Sequence, residues 1–473
     1  MEAISDHFLH KFFYPDSIAV IGSSGNPRRI GYNLFGNLVK LGYQGRMYPV
    51  NPKENEILGI KSYARVQDIE EIVDLAVIGV SQEHTPAVLR QCIEKGIKRV
   101  VLVAGGFSEI GQKGKRIQRE LLDLVRKNGV RAIGPNALSP INAAINMAIS
   151  FQPLDELRTG GLSLIFQSGL YEPRIRWLFS ECNFRLSKLI DLGNKMDLNE
   201  VDALSYLVFD PQTHIIGIHL ESIAGDPLEF AALVRKATAL GKRVIVLKSG
   251  RTREGARAAA SHTGAMVQGS DAIFDTVVKQ CGALRADTIE EFFDVARALE
   301  RFGSLFLKGN RIAVAALSGG EEVVMTDLVQ REGMQMAKVA PTTLAKLKSI
   351  FPPWEIGANP FDLGVSVQFN DPVKVYETLI PALSEDENVD VLHVQIPDMI
   401  INLPRNNFSV FNSVTALRKP IVLWSIGAKL GSHETLQWLE DHQIPVFDSP
   451  EKALRAVAAL RRLSLRVQGF KQQ

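Results

Sequence analysis

The sequence predicts an α/β protein built from parallel, doubly wound sheets. Short apolar runs alternate with longer amphipathic segments along nearly the whole chain, and several of the runs end in glycine- or serine-rich turns. A parallel sheet requires this alternation, because a crossover, usually a helix, must return each strand to the same edge. Between residues 17 and 133 the strands are SIAVIG, RMYPVN, LAVIGV, RVVLVAGG and RAIG. After a joint at 142–161 the rhythm restarts with GLSLIFQSG, FRLSKLIDLGN, IIGIHLESI and RVIVLKSG, up to about Phe302. A polar joint at 308–310 precedes RIAVAALSGG, VDVLHVQIP, PIVLWSIG and PVFDS, up to about Leu463. The spacing predicts three domains, 1–145, 146–303 and 304–473, as 473 residues suggest at about 150 per domain. The tail LSLRVQGFKQQ reads as a surface segment.

Composition narrows the function. The 46% hydrophobic and 22% charged content is that of a globular protein, and a formal charge of +2 leaves no net basic field for nucleic acid. Any anion site is therefore local. Cys92, Cys182 and Cys281 show no metal-ligand spacing, so no metal site is expected and the thiols fit a reduced, cytoplasmic setting. The first residues lack the basic and continuous apolar regions of an export signal, and no stretch reaches about 18 uninterrupted apolar residues. No membrane association is expected.

The densest chemistry lies in KSGRTREGARAAASHTGA, residues 248–265, which follows an apolar strand and reads as a loop carrying His262 between Ser261 and Thr263. Lys248, Arg251, Arg253 and Arg257 surround it. Imidazole is a competent nucleophile near neutral pH, and N–H groups beside glycines stabilise an anion. The alternative is a glycine-rich loop with an ordinary surface histidine. Domains two and three each open with a strand that runs into a Ser-Gly pair before a helix, at Gln167-Ser168-Gly169 and Ser318-Gly319-Gly320, which makes a ready anion site.

The first strand ends in Gly22-Ser23-Ser24-Gly25-Asn26-Pro27-Arg28-Arg29-Ile30-Gly31, where a dinucleotide-binding fold places its phosphates. The G-x-G-x-x-G spacing is absent, and the second strand ends in Asn51-Pro52-Lys53 instead of the acidic residue that binds an NAD ribose. Arg28, Arg29 and Lys53 favour a ligand with more phosphate, such as the 3′-phospho-ADP part of coenzyme A, with NADP or a purely structural turn as alternatives. Val80, Ser81, Gly105, Gly106 and Asn136 sit at neighbouring strand ends on the same edge.

These residues resemble the α subunit of the NDP-forming acyl-CoA synthetases (acetate–CoA ligase, ADP-forming), relatives of succinyl-CoA synthetase. The resemblance rests on YPVNPK, AGGFSEIG, IGPN, DLGNKMD, HLESI, KSGRT, ASHTGA and NPFDLG, all in the family's order. It implies a Rossmann-like CoA-binding domain followed by two flavodoxin-like, succinyl-CoA synthetase-like domains. It makes His262 the phosphorylated residue and Glu221 the carboxylate that orients it. Gln167, Ser168, Gly169, Ser261, Gly319 and Gly320 become the phosphate's neighbours. The implied reaction converts acyl-CoA, phosphate and ADP into acid, CoA and ATP through a phosphohistidine. No ATP-grasp domain or P-loop is visible, so the resemblance implies ADP or ATP with magnesium on a separate ATP-grasp β subunit.

The chain departs from the family pattern where substrate and phosphate are expected. Phe166 replaces a serine, Leu170-Tyr171-Glu172-Pro173-Arg174 and Glu321-Glu322 replace small residues, and Ala137-Leu138-Ser139 and Ser81-Gln82 are also altered. Carboxylates at two helix starts would compete with a bound phosphate, so the alternative is a CoA-binding protein of the same fold that has lost phosphoryl transfer. A nicotinamide-dependent oxidoreductase is disfavoured, since it leaves the SHTGA segment unexplained.

Overall fold

Three mainly parallel sheets carry the chain in the computed structural model, which describes residues 4–263, 270–354, 357, 359–402, 419–426 and 434–470, with main chain alone at 261–263, 399 and 466–470. The first sheet orders its strands β2-β1-β5-β6-β7, where β1 is Ser17–Ile21, β2 Arg46–Val50, β5 Leu75–Ile78, β6 Arg99–Leu102 and β7 Arg131–Ile133. A small hairpin, β3 (Glu56–Ile57) and β4 (Ile60–Lys61), stands beside it. Strands covered on both faces must be apolar throughout, and all five residues of β1 are buried.

The second sheet runs β14-β13-β12-β10-β11-β8-β9, from β8 (Ile141–Asn142), β9 (Met147–Ala148), β10 (Thr159–Phe166), β11 (Leu186–Asp191), β12 (Ile215–Leu220), β13 (Arg243–Lys248) and β14 (Leu284–Ala286). The segment read as a joint at 142–161 thus contributes strands: β8 pairs antiparallel with β11, and β9 with β8. Pairs of two residues lie below the length at which alternation can be recognised in sequence.

Residues Met1–Phe179 and Phe184–Ile289 form one compact unit. One apolar core runs through it without a break, from Leu9, Phe12 and Ile18 to Ile165, Leu204 and Val246. The DLGNKMD motif straps the two sheets together. Asn194 N–H donates to Pro135 O at 2.9 Å, Met196 N–H to Gly134 O at 3.1 Å and Leu198 N–H to Ala132 O at 3.3 Å. The Asp197 carboxylate accepts from Ala132 N–H and from Arg131 Nε. Gly193 must be glycine here, because a Cβ would lie 2.2 Å from Pro135 O and its φ is +53°.

Ser180–Asn183 and Glu290–Gln473 form the second unit, so the division falls ahead of the polar joint at 308–310. Its sheet runs β16-β15-β18-β19-β20, with β17 also on β15. These are β15 (Arg311–Ala316), β16 (Gln335–Met336), β17 (Phe361–Asp362), β18 (Val391–Gln395), β19 (Ile421–Trp424) and β20 (Val446–Phe447). Buried Glu440 accepts from Arg297, Arg301 and Asn183, tying the 180–183 segment to this unit. The tail begins in the core and not at the surface: helix Pro450–Phe470 continues into it, Leu463 is buried, and Ser464 Oγ accepts the Leu307 N–H at 2.9 Å, while Leu465 is exposed. Among the described residues no helix is long and apolar enough to cross a membrane.

Candidate functional site

In the first two sheets the parallel strands are laid out as a second strand, a first, a third, a fourth and a fifth, so each has a switch point between its first and third parallel strands, where open α/β sheets bind ligands; in the third sheet the order reverses between β15 and β18. In the first sheet that point lies between β1 and β5. Gly22 follows β1 with φ +88°, and a Cβ there would lie 2.7 Å from Gly79 O. Gly31 opens the helix Ile30–Leu41 so close beneath the turn that a Cβ would lie 2.0 Å from Gly22 O. This is the helix–strand contact the third glycine of a dinucleotide fingerprint provides, reached here at a different spacing.

The turn is held from within. Ser24 Oγ accepts the Asn26 N–H at 3.1 Å, Asn26 Oδ1 accepts the Arg28 N–H at 3.0 Å, and Ser23 is buried. Arg28, Arg29 and Lys53 are exposed, and none has an ion-pair partner among the described residues. The sequence reading missed Glu54, whose carboxylate reaches into the turn and accepts from Gly25 N–H at 2.9 Å and Ser24 Oγ at 3.1 Å.

The other first-domain candidates stand on the same edge. Val80 borders Gly22, and Ser81 Oγ meets His84 Nδ1 at 2.8 Å. Gly105 lies against the side chains of Asn136 and Glu109; the Gly106 N–H donates to Glu109 at 2.6 Å, and its carbonyl accepts from Gln82. Asn136 takes a positive φ of 61° and donates its N–H to Ala104 O.

In the second sheet the switch point lies between β10 and β12, and it brings Gln167 and Glu221 side by side. Gln167 Oε1 accepts the N–H groups of Glu221 at 2.7 Å and Ser222 at 2.9 Å, and its Nε2 donates to Ser222 Oγ at 3.2 Å. Ser168 caps the short turn Gly169–Tyr171 by accepting the Leu170 N–H, and Gly169 is exposed. Lys248 Nζ donates to Glu221 O at 2.8 Å, and Lys195 Nζ to Ser222 O at 2.6 Å and Glu200 at 2.7 Å. Burial pushes both lysines below their ordinary range.

A cleft of about 320 Å³ opens between the first two sheets, with Lys115 and Arg119 on one wall and Gln167, Asn194, Lys195 and Ser222 on the other. Composition gave no signal for this cleft. Lys115 and Arg119 lie in an ordinary-looking amphipathic helix, and only the fold turns them toward DLGN.

Ser261 and His262 are not in a loop: they occupy the last turn of the helix Arg253–Thr263. The run REGARAAAS is rich in strong helix formers, and this outweighs the flanking glycines. The helix packs against the turn Ser108–Ile110, which follows β6 of the first sheet. The Gly264–Ala265 end of the motif lies outside the described residues. Arg251, at the neck, is held by Asp271 and Asp287. Gly319 and Gly320 belong to the second unit, where they open the helix Gly319–Arg331 after β15.

Residues 16–141 match the CoA binding domain family, and residues 159–299 the succinyl-CoA ligase-like flavodoxin domain family. The α subunit of ADP-forming acetate–CoA ligase II from Pyrococcus furiosus is 35% identical over 96% of this chain and 97% of its own length. The chain belongs to the family of ADP-forming acetate–CoA ligases. Acetate–CoA ligase II, ADP-forming, of Archaeoglobus fulgidus is 33% identical over 97% of this chain, which covers 67% of that protein. A solved structure of acetyl-coenzyme A synthetase 1 from Ca. Korarchaeum cryptofilum, in complex with phosphate and ADP, is similar with a TM-score of 0.83 and 31% identity, covering 98% of this chain and 99% of that one.

Against that family, the departing residues have a structural account. Tyr171 is fully buried, packs on Phe166 with ring centroids 5.0 Å apart and donates to Leu138 O. It is a core residue. Glu172 turns into the protein, where Ser150 Oγ donates to its Oε2 at 3.1 Å and its Oε1 is buried without a hydrogen-bond partner. Burial pushes its carboxyl up to about 7. In the second unit Glu322 is likewise buried and pushed up to about 7, by burial and then by Asp362.

Proposed function

We propose that this chain is the α subunit of an ADP-forming acyl-CoA synthetase, interconverting acyl-CoA, ADP and phosphate with a carboxylic acid, CoA and ATP. The observation that carries this reading is the placement of Gln167 and Glu221 together at the switch point of the second sheet, in a chain matched from end to end by an α subunit of that family. The three-domain division, the site residues and the cytoplasmic setting are part of the same proposal.

Coenzyme A fits the first-sheet edge, where Arg28, Arg29 and Lys53, exposed and without an ion-pair partner among the described residues, lie beside a glycine turn of N–H donors. It would be held by Gly22, Ser23, Ser24 and Asn26 at one end and would run past Val80, Ser81, Gly105, Gly106 and Asn136 toward the cleft. It supplies the thiol that carries the acyl group. Phosphate oxygen attacks the thioester carbonyl; the C–S bond breaks, and the thiolate leaves with a proton. The acyl phosphate loses its phosphoryl group to a ring nitrogen of His262 as the acyl–O–P bond breaks and the acid departs. Glu221 fixes the imidazole tautomer and stabilises its developing positive charge, while Gln167 holds Glu221 at the strand end. An oxygen of the ADP β-phosphate then attacks phosphorus and restores the neutral imidazole.

The nucleotide and magnesium belong to an ATP-grasp β subunit. The 67% coverage of the Archaeoglobus relative supports this, since that longer chain has room for a further domain beyond the matched part.

The test is to mix the chain with an ATP-grasp β subunit and ATP labelled in its terminal phosphate. Acid-labile, base-stable label is expected on the wild type, slower labelling on E221Q and none on H262A. A wild type as blank as H262A, with a β subunit that is active toward another α subunit, would overturn the reading and leave the non-catalytic CoA-binding alternative.

A further inference from the structure

Among the described residues, Glu54 is the carboxylate that enters the glycine turn of the first sheet. Its Oε2 accepts the Gly25 N–H at 2.9 Å, and its Oε1 accepts from Ser24 Oγ at 3.1 Å and from Asn51 Nδ2 at 3.0 Å. The fit is close: a Cβ on Gly25 would lie 2.8 Å from Oε2. Asn51 in turn donates to Ser23 O at 2.8 Å and accepts the Lys53 N–H at 2.9 Å, so Glu54 is aimed by the end of β2. A main-chain N–H and a hydroxyl in a turn between the first strand and its helix are donors that an anionic ligand takes. Here a side chain of the protein already holds them, while the cations Arg28, Arg29 and Lys53 beside it are exposed and without an ion-pair partner among the described residues.

We propose that Glu54 is a built-in occupant of the phosphate subsite and sets the affinity of this chain for the ribose-borne 3′-phosphate of coenzyme A. The inference rests on the coenzyme A reading above. In doubly wound nucleotide folds the end of the second strand faces the ligand's ribose, and Glu54 follows that strand end by four residues. The group that meets Glu54 is therefore the phosphate on the ribose, which dephospho-coenzyme A lacks. To bind, that phosphate must take over the Gly25 and Ser24 donors and push a like charge aside toward Lys53 and the arginines. A ligand without the 3′-phosphate leaves Glu54 in place.

The conservative variant E54Q tests this, because its one amide oxygen still accepts the Gly25 N–H and its NH2 group can donate to Ser24 Oγ, while the charge is gone. Calorimetric titration of the whole chain with coenzyme A and with dephospho-coenzyme A is the measurement. E54Q is expected to bind coenzyme A about tenfold more tightly than the wild type, the order a like charge at contact distance produces, with dephospho-coenzyme A unchanged. The gain is expected to shrink with added salt. An equal gain for both ligands, no gain, or weaker binding of coenzyme A by E54Q would each overturn the role assigned to Glu54 while leaving the coenzyme A site standing. Binding of neither ligand by either protein would overturn the coenzyme A reading and this proposal with it.

Discussion

Gln167 Oε1 receives two consecutive main-chain N–H groups, those of Glu221 at 2.7 Å and Ser222 at 2.9 Å, so one buried amide fixes where the β12 strand end places its carboxylate. Strand β10 thereby sets the position of a residue on its neighbour β12. Replacing Gln167 by Leu leaves both N–H groups buried without an acceptor. A loss of about 2–4 kcal/mol in unfolding free energy is expected, together with a phosphorylation rate reduced at least as much as in E221Q. Denaturant unfolding and the labelling assay check the two parts; an unchanged labelling rate would remove Gln167 from the site.

Lys195 and Glu200 form a buried pair at 2.7 Å, and the lysine also donates to Ser222 O beside the cleft. K195M strands the Glu200 carboxylate. A destabilisation of about 3–5 kcal/mol is expected from thermal and denaturant melts, and the double variant K195M/E200Q should recover most of it. Failure of the second substitution to recover any stability would mean that the Ser222 contact, not the ion pair, is what matters.

The Glu172 carboxyl is raised from 4.5 to about 7 by burial. The folded state therefore favours its protonated form. That preference contributes fully below about pH 4.5 and is lost as pH rises through about 7, a change on the order of 3 kcal/mol. Wild type should lose melting temperature between about pH 5 and about pH 8 by more than E172Q does. Parallel profiles for the two proteins would show that Glu172 does not titrate in that range.

Gly31 faces Gly22 O so closely that a Cβ would have to stand 2.0 Å from it. G31A must push the helix Ile30–Leu41 off β1, at an expected cost of about 3 kcal/mol or a loosened turn. Coenzyme A binding by the chain should fall, while H262-dependent labelling through the second sheet should be less affected. Unaltered coenzyme A affinity in G31A would show that the turn tolerates the shift.

Much of this was legible in the amino-acid order. Strands such as SIAVIG and RVIVLKSG are continuous apolar runs because both sheet faces are covered, and Gly22, Gln167 and Glu221 follow strands whose ends the pattern marks. The β8–β9 ribbon, the helix that carries His262 and the helical tail were not legible. The first is too short to show a period, the second has glycines beside strong helix formers, and the third is decided by the packing of Leu463 and Ser464.

The order of residues thus determined the doubly wound class, the strand ends and the chemical types available there, because these depend on local periodicity and turn chemistry. Tertiary structure decided which of those groups meet. Gln167 and Glu221 are 54 residues apart, Lys115 and Lys195 share a cleft, and Glu54 rather than solvent meets the Gly25 N–H. Such pairings follow from strand order and from the DLGN strap, whose partners lie far along the chain, so no local pattern encodes them.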